Sequence, residues 1–401
     1  MRITNKVIQN NSLNNINTNK LLQDKLSQQM STEKKVNRPS DDPIVAIRAL
    51  RLRTNVNQVN QYYEKNVPDA ESWLHVTESA LSSMSEVVTD MIAQCTKGSN
   101  EDLTTSDRET IITALKALRD EVYSTGNADY AGRYIFTGYR TDTSLTFTED
   151  VNRKYVITEQ FQNSKIDTVS YVDTGDILKV NDSNYTDAGY KDIVEQQVSQ
   201  SDVHRIRLSY ENLDIDRNNP NYKIQVWTKP LLDENGVAIT DEEGNEVGGY
   251  AELTEIEVNG QATAVTYTSA SIYDEPSPYK DIDENSVILI EETGEMLLGQ
   301  NVYDKLMSLQ DDAKTKADEG EFRVTYEKSK WNNGDLRPEH YFACTACGDK
   351  NIEYNKSYLE GIDDEEKQSI EYDVGLNQTI RVNTTADEVF THDITRDVDD
   401  M

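Results

Sequence analysis

The sequence predicts an elongated, multidomain α+β protein in which a long helical coiled-coil rod carries a β-rich inserted domain. Three observations predict it. Apolar residues make up 36% of the 401 residues, about 40% with the 18 glycines added. Typical soluble domains reach roughly 45–50%, so one large globular core is excluded. A 3-4 apolar spacing runs from Leu74 to Cys95, and short β-rich runs separated by turn signals fill residues 133–390.

The first segment, 1–43, reads as a poor amphipathic helix. Ile3, Val7, Leu13, Ile16, Leu22, Leu26 and Met30 roughly follow one helical face. Residues 1–20 also hold seven asparagines, whose amides compete for backbone hydrogen bonds. The segment is therefore expected to fray when alone and to gain helicity from a partner. Asn37-Arg38-Pro39-Ser40-Asp41-Asp42-Pro43 then breaks one helix and starts another, with Asp42 as N-cap and Pro43 in the first turn.

Residues 44–145 form the expected rod. Leu74, Thr77, Leu81, Met84, Val88, Met91 and Cys95 are spaced as an a/d seam about three heptads long. Ser106 and Glu109 suggest a capping box for the next helix, along which Ile111, Leu115, Leu118 and Val122 continue the seam. The polar loop around Gly98 lets the two helices fold back as an antiparallel hairpin. The seam residues expected to carry assembly are Leu74, Leu81, Met84, Val88, Met91, Ile111, Leu115 and Leu118.

Residues 146–370 form the β-rich insert, in two lobes. Strands are expected over 133–139, 154–158, 205–210, 222–229, 264–268, 286–290, 322–327 and 379–384, with turns at Asp233–Gly236 and Asp241–Asn245. One helix is expected from Glu295 to about Ala317. Residues 371–401 read as strands returning to the rod, followed by a helix that starts near Thr391.

Charge excludes some roles. With 40 Lys+Arg against 73 Asp+Glu the net charge is −33, the opposite of a nucleic-acid-binding surface. Residues 1–60 alone carry ten basic against four acidic groups, leaving −39 for the remainder and implying modules with different neighbours. No apolar run approaches the ~18 residues of a membrane span, so membrane insertion is not expected. The polar residues after Met1 do not form a cleavable signal core.

Little in the sequence suggests catalysis. Asp41-Asp42 is better read as a helix cap than as a carboxylate pair, because no base or metal partner lies nearby. Cys344-Thr345-Ala346-Cys347, with His340 and Asp349, offers several metal-ligand types, but a structural zinc site needs a second Cys/His pair. Free thiols, a local disulfide and a metal all remain open for Cys344 and Cys347. Cys95 falls within the seam and reads as a small core residue. No phosphate-binding loop, HExxH or GxSxG element occurs. The 22 tyrosines against six phenylalanines suit half-exposed β surfaces, a sugar-binding face included. No catalytic, cofactor-binding or metal-ligating residue is assigned, and no enzyme activity or cofactor is expected.

Several motifs together resemble the flagellin family. They are Met1-Arg2-Ile3-Thr4 with its Asn/Gln-rich helix, Lys35-Val36-Asn37-Arg38-Pro39-Ser40-Asp41-Asp42-Pro43, and the following Ile44–Leu50. Trp73-Leu74, Thr77–Leu81, Asp107-Arg108 and Gly132-Arg133-Tyr134-Ile135-Phe136-Thr137-Gly138 resemble the members at the hook–filament junction. The likeness is strong over residues 1–145. It returns at Glu371–Asn377 and Ile380–Asn383. It implies a structural adaptor in the bacterial flagellum, exported through the flagellar type III apparatus. The expected partners are hook-associated protein 1, flagellin, further copies in a junction ring and an export chaperone. A flagellin filament subunit is the alternative, and a metal-binding protein centred on Cys344/Cys347 a third. Family members end in helices that pair with the N-terminal ones. None is legible here, so the expectation is either a truncated chain or gene fragment, or a chain not competent for assembly as written.

Overall fold

The computed structural model describes residues 5–40, 42–100, 102–173, 198–218, 220–228, 230–231, 238–240, 247–258, 260–274, 276–309, 320–348, 350–360 and 368–399. These residues form two compact units, one of residues 1–72 with 371–381 and one of residues 73–370 with 382–401.

The first unit contains helix α1, Asn5–Thr32, and helix α2, Pro43–Gln61. The Asp42 carboxylate accepts from the Val45 N–H at 3.1 Å, and Pro43 occupies the first helical turn. Both roles follow from helix-start chemistry, since the first N–H groups lack intrahelical partners and proline has none to leave unpaired. Asp42→Ala is expected to cost about 1 kcal/mol of helix stability, read as a lower urea midpoint of the far-ultraviolet helix signal.

After α2 the backbone widens into a π turn, Tyr62–Asn66, and narrows again into α3, Val67–Gly98. The Asn66 amide donates to the Asp373 carbonyl at 2.7 Å. Asp373 lies in a hairpin whose strands are Glu371–Gly375 and Gln378–Arg381.

In the second unit α3 is followed by α4, Thr105–Thr125. The expected N-cap, Ser106 with Glu109, is two residues too late: Thr104 caps the helix and Asp107 completes the box. The Thr104 backbone is extended, so its hydroxyl can accept from the Asp107 N–H at 3.3 Å while Asp107 accepts from the Thr104 N–H at 3.1 Å. The side-chain and backbone hydrogen bonds from Thr104 hold the Asp107 carboxyl below its usual range.

A small hairpin follows, β1 (Asp129–Tyr130) with β2 (Arg133–Tyr134). Only Arg133 and Tyr134 of the expected strand 133–139 are extended; residues 135–138 form a tight, buried turn and Tyr139 is exposed. The β-rich part then builds two large sheets and a separate hairpin of β8 (Glu255–Val258) with β9 (Gln261–Ala264). One is six-stranded and antiparallel, with strand order β15-β14-β3-β13-β6-β7. Its strands are β3 (Val151–Gln162), β6 (Lys223–Thr228), β7 (Gly249–Glu252), β13 (Glu321–Trp331), β14 (Ala343–Ala346) and β15 (Ile352–Tyr354). The other has the order β10-β11-β12-β5-β4. It comprises β4 (Asp167–Asp173), β5 (Ser199–Arg207), β10 (Thr266–Ala270), β11 (Ser286–Ile290) and β12 (Glu295–Leu298). The expected turns at 233–236 and 241–245 lie outside the described residues.

Both sheets contribute to one core. Tyr155, Ile157, Ile224, Phe322 and Tyr326 from the first meet Ile206, Val287, Leu289 and Met296 from the second. The two lobes expected from sequence are therefore one sandwich. The expected helix from Glu295 also needs correction. Glu295–Leu298 is a strand between β11 and β5, and helix α5 spans only Gln300–Met307; residues 310–319 lie outside the described residues. Gly299 marks the change. A Cβ there would lie 2.2 Å from the Asp283 carbonyl oxygen and 2.5 Å from that of Glu284, a spacing only glycine permits.

Residues 386–389 form helix α6, which the sequence reading did not include, and residues 393–399 form helix α7, where a helix was expected to start near Thr391. Here α7 packs against α4, a partner for α4 that sequence reasoning had not supplied.

Candidate assembly surface

Fourteen large apolar residues on α1 and α2 are exposed, from Val7 to Val59. They are not scattered on α2. Val45, Leu52, Val56 and Val59 follow a 7-4-3 spacing that places them within a narrow arc of the helix. Leu52, Val56 and Val59 are 65%, 56% and 60% exposed. Ile44 and Ile47 lie on an adjacent arc and are exposed too, so α2 presents apolar surface in two directions. On α1, Leu22, Leu26 and Met30 repeat every four residues along one exposed face. Sequence reasoning treated α2 only as a helix by composition and missed its face, although the 7-4-3 spacing was present to be counted.

The hairpin of α3 and α4 differs. Its buried stripe on α3 is Trp73, Thr77, Ala80, Val87 and Met91, with Met84 half-buried. The expected seam shares Thr77, Met84 and Met91, but Leu74, Leu81, Val88 and Cys95 sit one residue, or 100°, further round. Leu74 is 40% exposed, and Leu81, Val88 and Cys95 are half-buried. Trp73 explains the rotation. Its ring packs edge-on to Tyr130 at 6.2 Å, and the Arg133 guanidinium lies over it at 5.1 Å. Burying the largest side chain of the stripe turns the helix toward the β1–β2 hairpin. On α4, Leu115 and Val122 are buried as expected, with Ile111 and Leu118 half-buried.

Between α3 and the end of α4 runs an open groove of about 470 Å³, lined mostly by small residues including Ser79, Ala80, Ser83, Ser124 and Ala128. Beside it the displaced ridge of Leu74, Leu81 and Val88 forms a second apolar margin. Charge separates the units. The first has 12 Lys+Arg against 9 Asp+Glu, and the second 28 against 64.

The cysteine motif does not come together as a chelate. Cys344 and Cys347 are both free thiols. Cys344 sits in the sandwich core, paired in register with Ile157, and burial pushes its thiol well above the usual range. Cys347 lies just past the strand end, where its N–H continues the ladder to the Lys154 carbonyl at 2.8 Å. Side chains three apart on an extended chain point to opposite faces. His340 is buried elsewhere, its Nε2 3.0 Å from the Ser144 carbonyl oxygen, and burial pulls its pKa down to about 4. Asp349 lies outside the described residues. Among the described residues no three His, Cys, Asp or Glu side chains form a metal-ligating group. Alkylation of the native protein is therefore expected to modify Cys347 well before Cys344, which mapping of the modified peptides would check.

Among the described residues, no helix is long and apolar enough to cross a membrane.

Residues 3–141 match the family model of the bacterial flagellin N-terminal helical region. The chain is 32% identical over 145 residues to flagellar hook-associated protein 3 of Salmonella typhimurium (strain LT2), covering 36% of this chain and 45% of that protein. It is 33% identical over 157 residues to the Escherichia coli (strain K12) protein of the same name, covering 39% and 49%. It thus spans about half the length of the curated relatives it matches. Among solved structures, the flagellar junction protein FlgL of Legionella pneumophila is 13% identical, covering 71% of this chain and 80% of that one at a TM-score of 0.23. The matched stretch holds α1 to α4 and the β1–β2 hairpin, the elements that carry the exposed apolar faces.

Proposed function

We propose that this chain, whose residues 3–141 match the family model of the bacterial flagellin N-terminal helical region, is a structural, non-enzymatic subunit of the bacterial flagellar hook–filament junction. The observation that carries the reading is the row of exposed apolar residues on α1 and α2. Fully burying such a side chain contributes about 1.5–3 kcal/mol, so these helices gain most when they pack against other chains. The apolar margin at Leu74, Leu81 and Val88 offers a further contact line on the hairpin.

The partners that fit are copies of this chain, hook-associated protein 1 on the hook side and flagellin on the filament side. An export chaperone would cover the same faces before assembly. The acidic sandwich suits solvent rather than the packed helices, because like charges at close range repel. The protein would act outside the cell, as part of the flagellum.

Immunogold electron microscopy of intact flagella, with antibody against residues 146–370, tests this. Gold at one spot between hook and filament supports the junction role. Gold along the filament would make the chain a flagellin, and no flagellar label would remove the reading.

A further inference from the structure

A buried polar cluster lies where α7 meets the sandwich. His392, just before α7, is enclosed by aromatic rings: Tyr210 at 4.9 Å and Tyr341 at 4.6 Å, both edge-on, and Phe342 at 5.3 Å. Its Nε2 has no hydrogen-bond partner. One turn on, Arg396 is also buried, its N–H donating to the His392 carbonyl at 3.1 Å. The carboxylate facing Arg396 is that of Glu159 on β3, which accepts from the Ser209 N–H at 3.0 Å, the Ser209 hydroxyl at 2.9 Å and the Tyr326 hydroxyl.

The outer side of the helix is tied by different groups. Asp397 pairs with Arg207 at 2.9 Å, and Arg207 also meets Asp167 at 3.3 Å. Asp393 lies 3.7 Å from Lys165. From α4, the Tyr123 hydroxyl contacts Thr395 Oγ1 at 2.6 Å and donates to the Thr391 carbonyl at 3.1 Å. Of the other groups that bear on the aromatic box, the Tyr210 hydroxyl donates to the Leu336 carbonyl, Glu159, Cys344 and Asp335 act on Tyr210, and Tyr123 and Asp387 act on Tyr341.

We propose that residues 391–399 are an acid-sensitive strap, held on the sandwich by a neutral His392 and released when that imidazole takes a proton. A proton on His392 would place a second positive charge one helical turn from Arg396, where none of the described residues gives the ring an anionic partner. Glu159, the nearby carboxylate, already faces Arg396. Desolvation of an uncompensated charge is costly, so the protonated ring is stable only once the strap has left the box.

The sign follows by linkage. Burial holds the His392 pKa at about 3 against an ordinary 6.5. The neutral ring therefore stabilises docking fully above pH 6.5, and that contribution is lost as pH falls toward 3. Glu159 contributes to folding of the sandwich as a whole: burial raises its pKa to about 7 from 4.5, so that contribution is present below pH 4.5 and lost as pH rises through 7. A wild-type pH profile mixes the two, whereas its ratio to a His392→Phe profile isolates the imidazole.

Hydrogen exchange of the amides of residues 393–399, measured on the full chain from pH 7 to 4.5, tests the strap. The ratio of the wild-type opening constant to that of His392→Phe is expected to rise about tenfold per pH unit below pH 6. A flat ratio would overturn the proposal. Imidazole NMR of the wild-type chain gives an independent reading that needs no folded variant. A His392 resonance that stays neutral to below pH 5 supports the strap, and one titrating near 6.5 in the folded protein overturns it.

Discussion

Replacing Leu52, Val56 and Val59 together by Asp is expected to abolish incorporation into flagella while leaving the sandwich folded. The three residues lie on one arc of α2 and are exposed, so the free chain loses no packing. In an assembled structure each would bring a carboxylate into an apolar contact. Leaving an isolated charge there costs several kcal/mol per site, enough across three sites to remove any stable association. Incorporation would be read by immunoblot of isolated flagella, and folding by the thermal transition of the purified chain. A transition within about 1 °C of wild type with no flagellar protein is the expected pair of results. Normal incorporation would mean that this face of α2 is not an assembly surface.

The second large effect belongs to the interior. Trp73→Ala is expected to destabilise the α3–α4 hairpin by about 3–5 kcal/mol, the range for removing a fully buried aromatic. Trp73 is 1% exposed and carries both the Tyr130 edge contact and the Arg133 cation–π contact. Its indole N–H has no hydrogen-bond partner, so the cost arises from packing and the cation–π term. Leu74→Ala, one residue along and 40% exposed, should cost well under 2 kcal/mol in the free chain. Urea unfolding of the two variants would order them. If Leu74→Ala proved the more damaging, the stripe centred on Trp73 would be wrong and the spacing read from sequence right.

That pair also shows what was legible in the sequence. The existence of the helices, the Asp42 cap and most strands of the sandwich follow from local signals: an extended capping residue, a proline that fits the first turn, and runs of β-branched and aromatic residues. The rotation of α3 does not. A 3-4 spacing of Leu, Met and Val is compatible with two adjacent stripes, and the choice between them is made by Trp73 against the β1–β2 hairpin, a contact formed across more than fifty residues of chain.

Residues 295–298 were misread for a related reason. Glu-Met-Leu-Leu suits a helix by propensity, yet as a central strand it buries all four residues, and tertiary packing overrides local preference. The assembly face was partly legible. The apolar residues of α1 were recognised, whereas the 7-4-3 row on α2 was hidden among the arginines at 48, 51 and 53. The Cys344–Cys347 spacing suggested chemistry that the strand separates, because alternation of side chains sends the two thiols to opposite faces.

Hydroxyl-radical footprinting of intact flagella against the free chain tests the central claim most directly. Burial between subunits predicts strong protection of Leu22, Leu26, Leu52, Val56 and Val59 in flagella, while Tyr273, 84% exposed on the sandwich, stays labelled in both. Equal labelling of α1 and α2 in the two samples would contradict an assembly role for these helices.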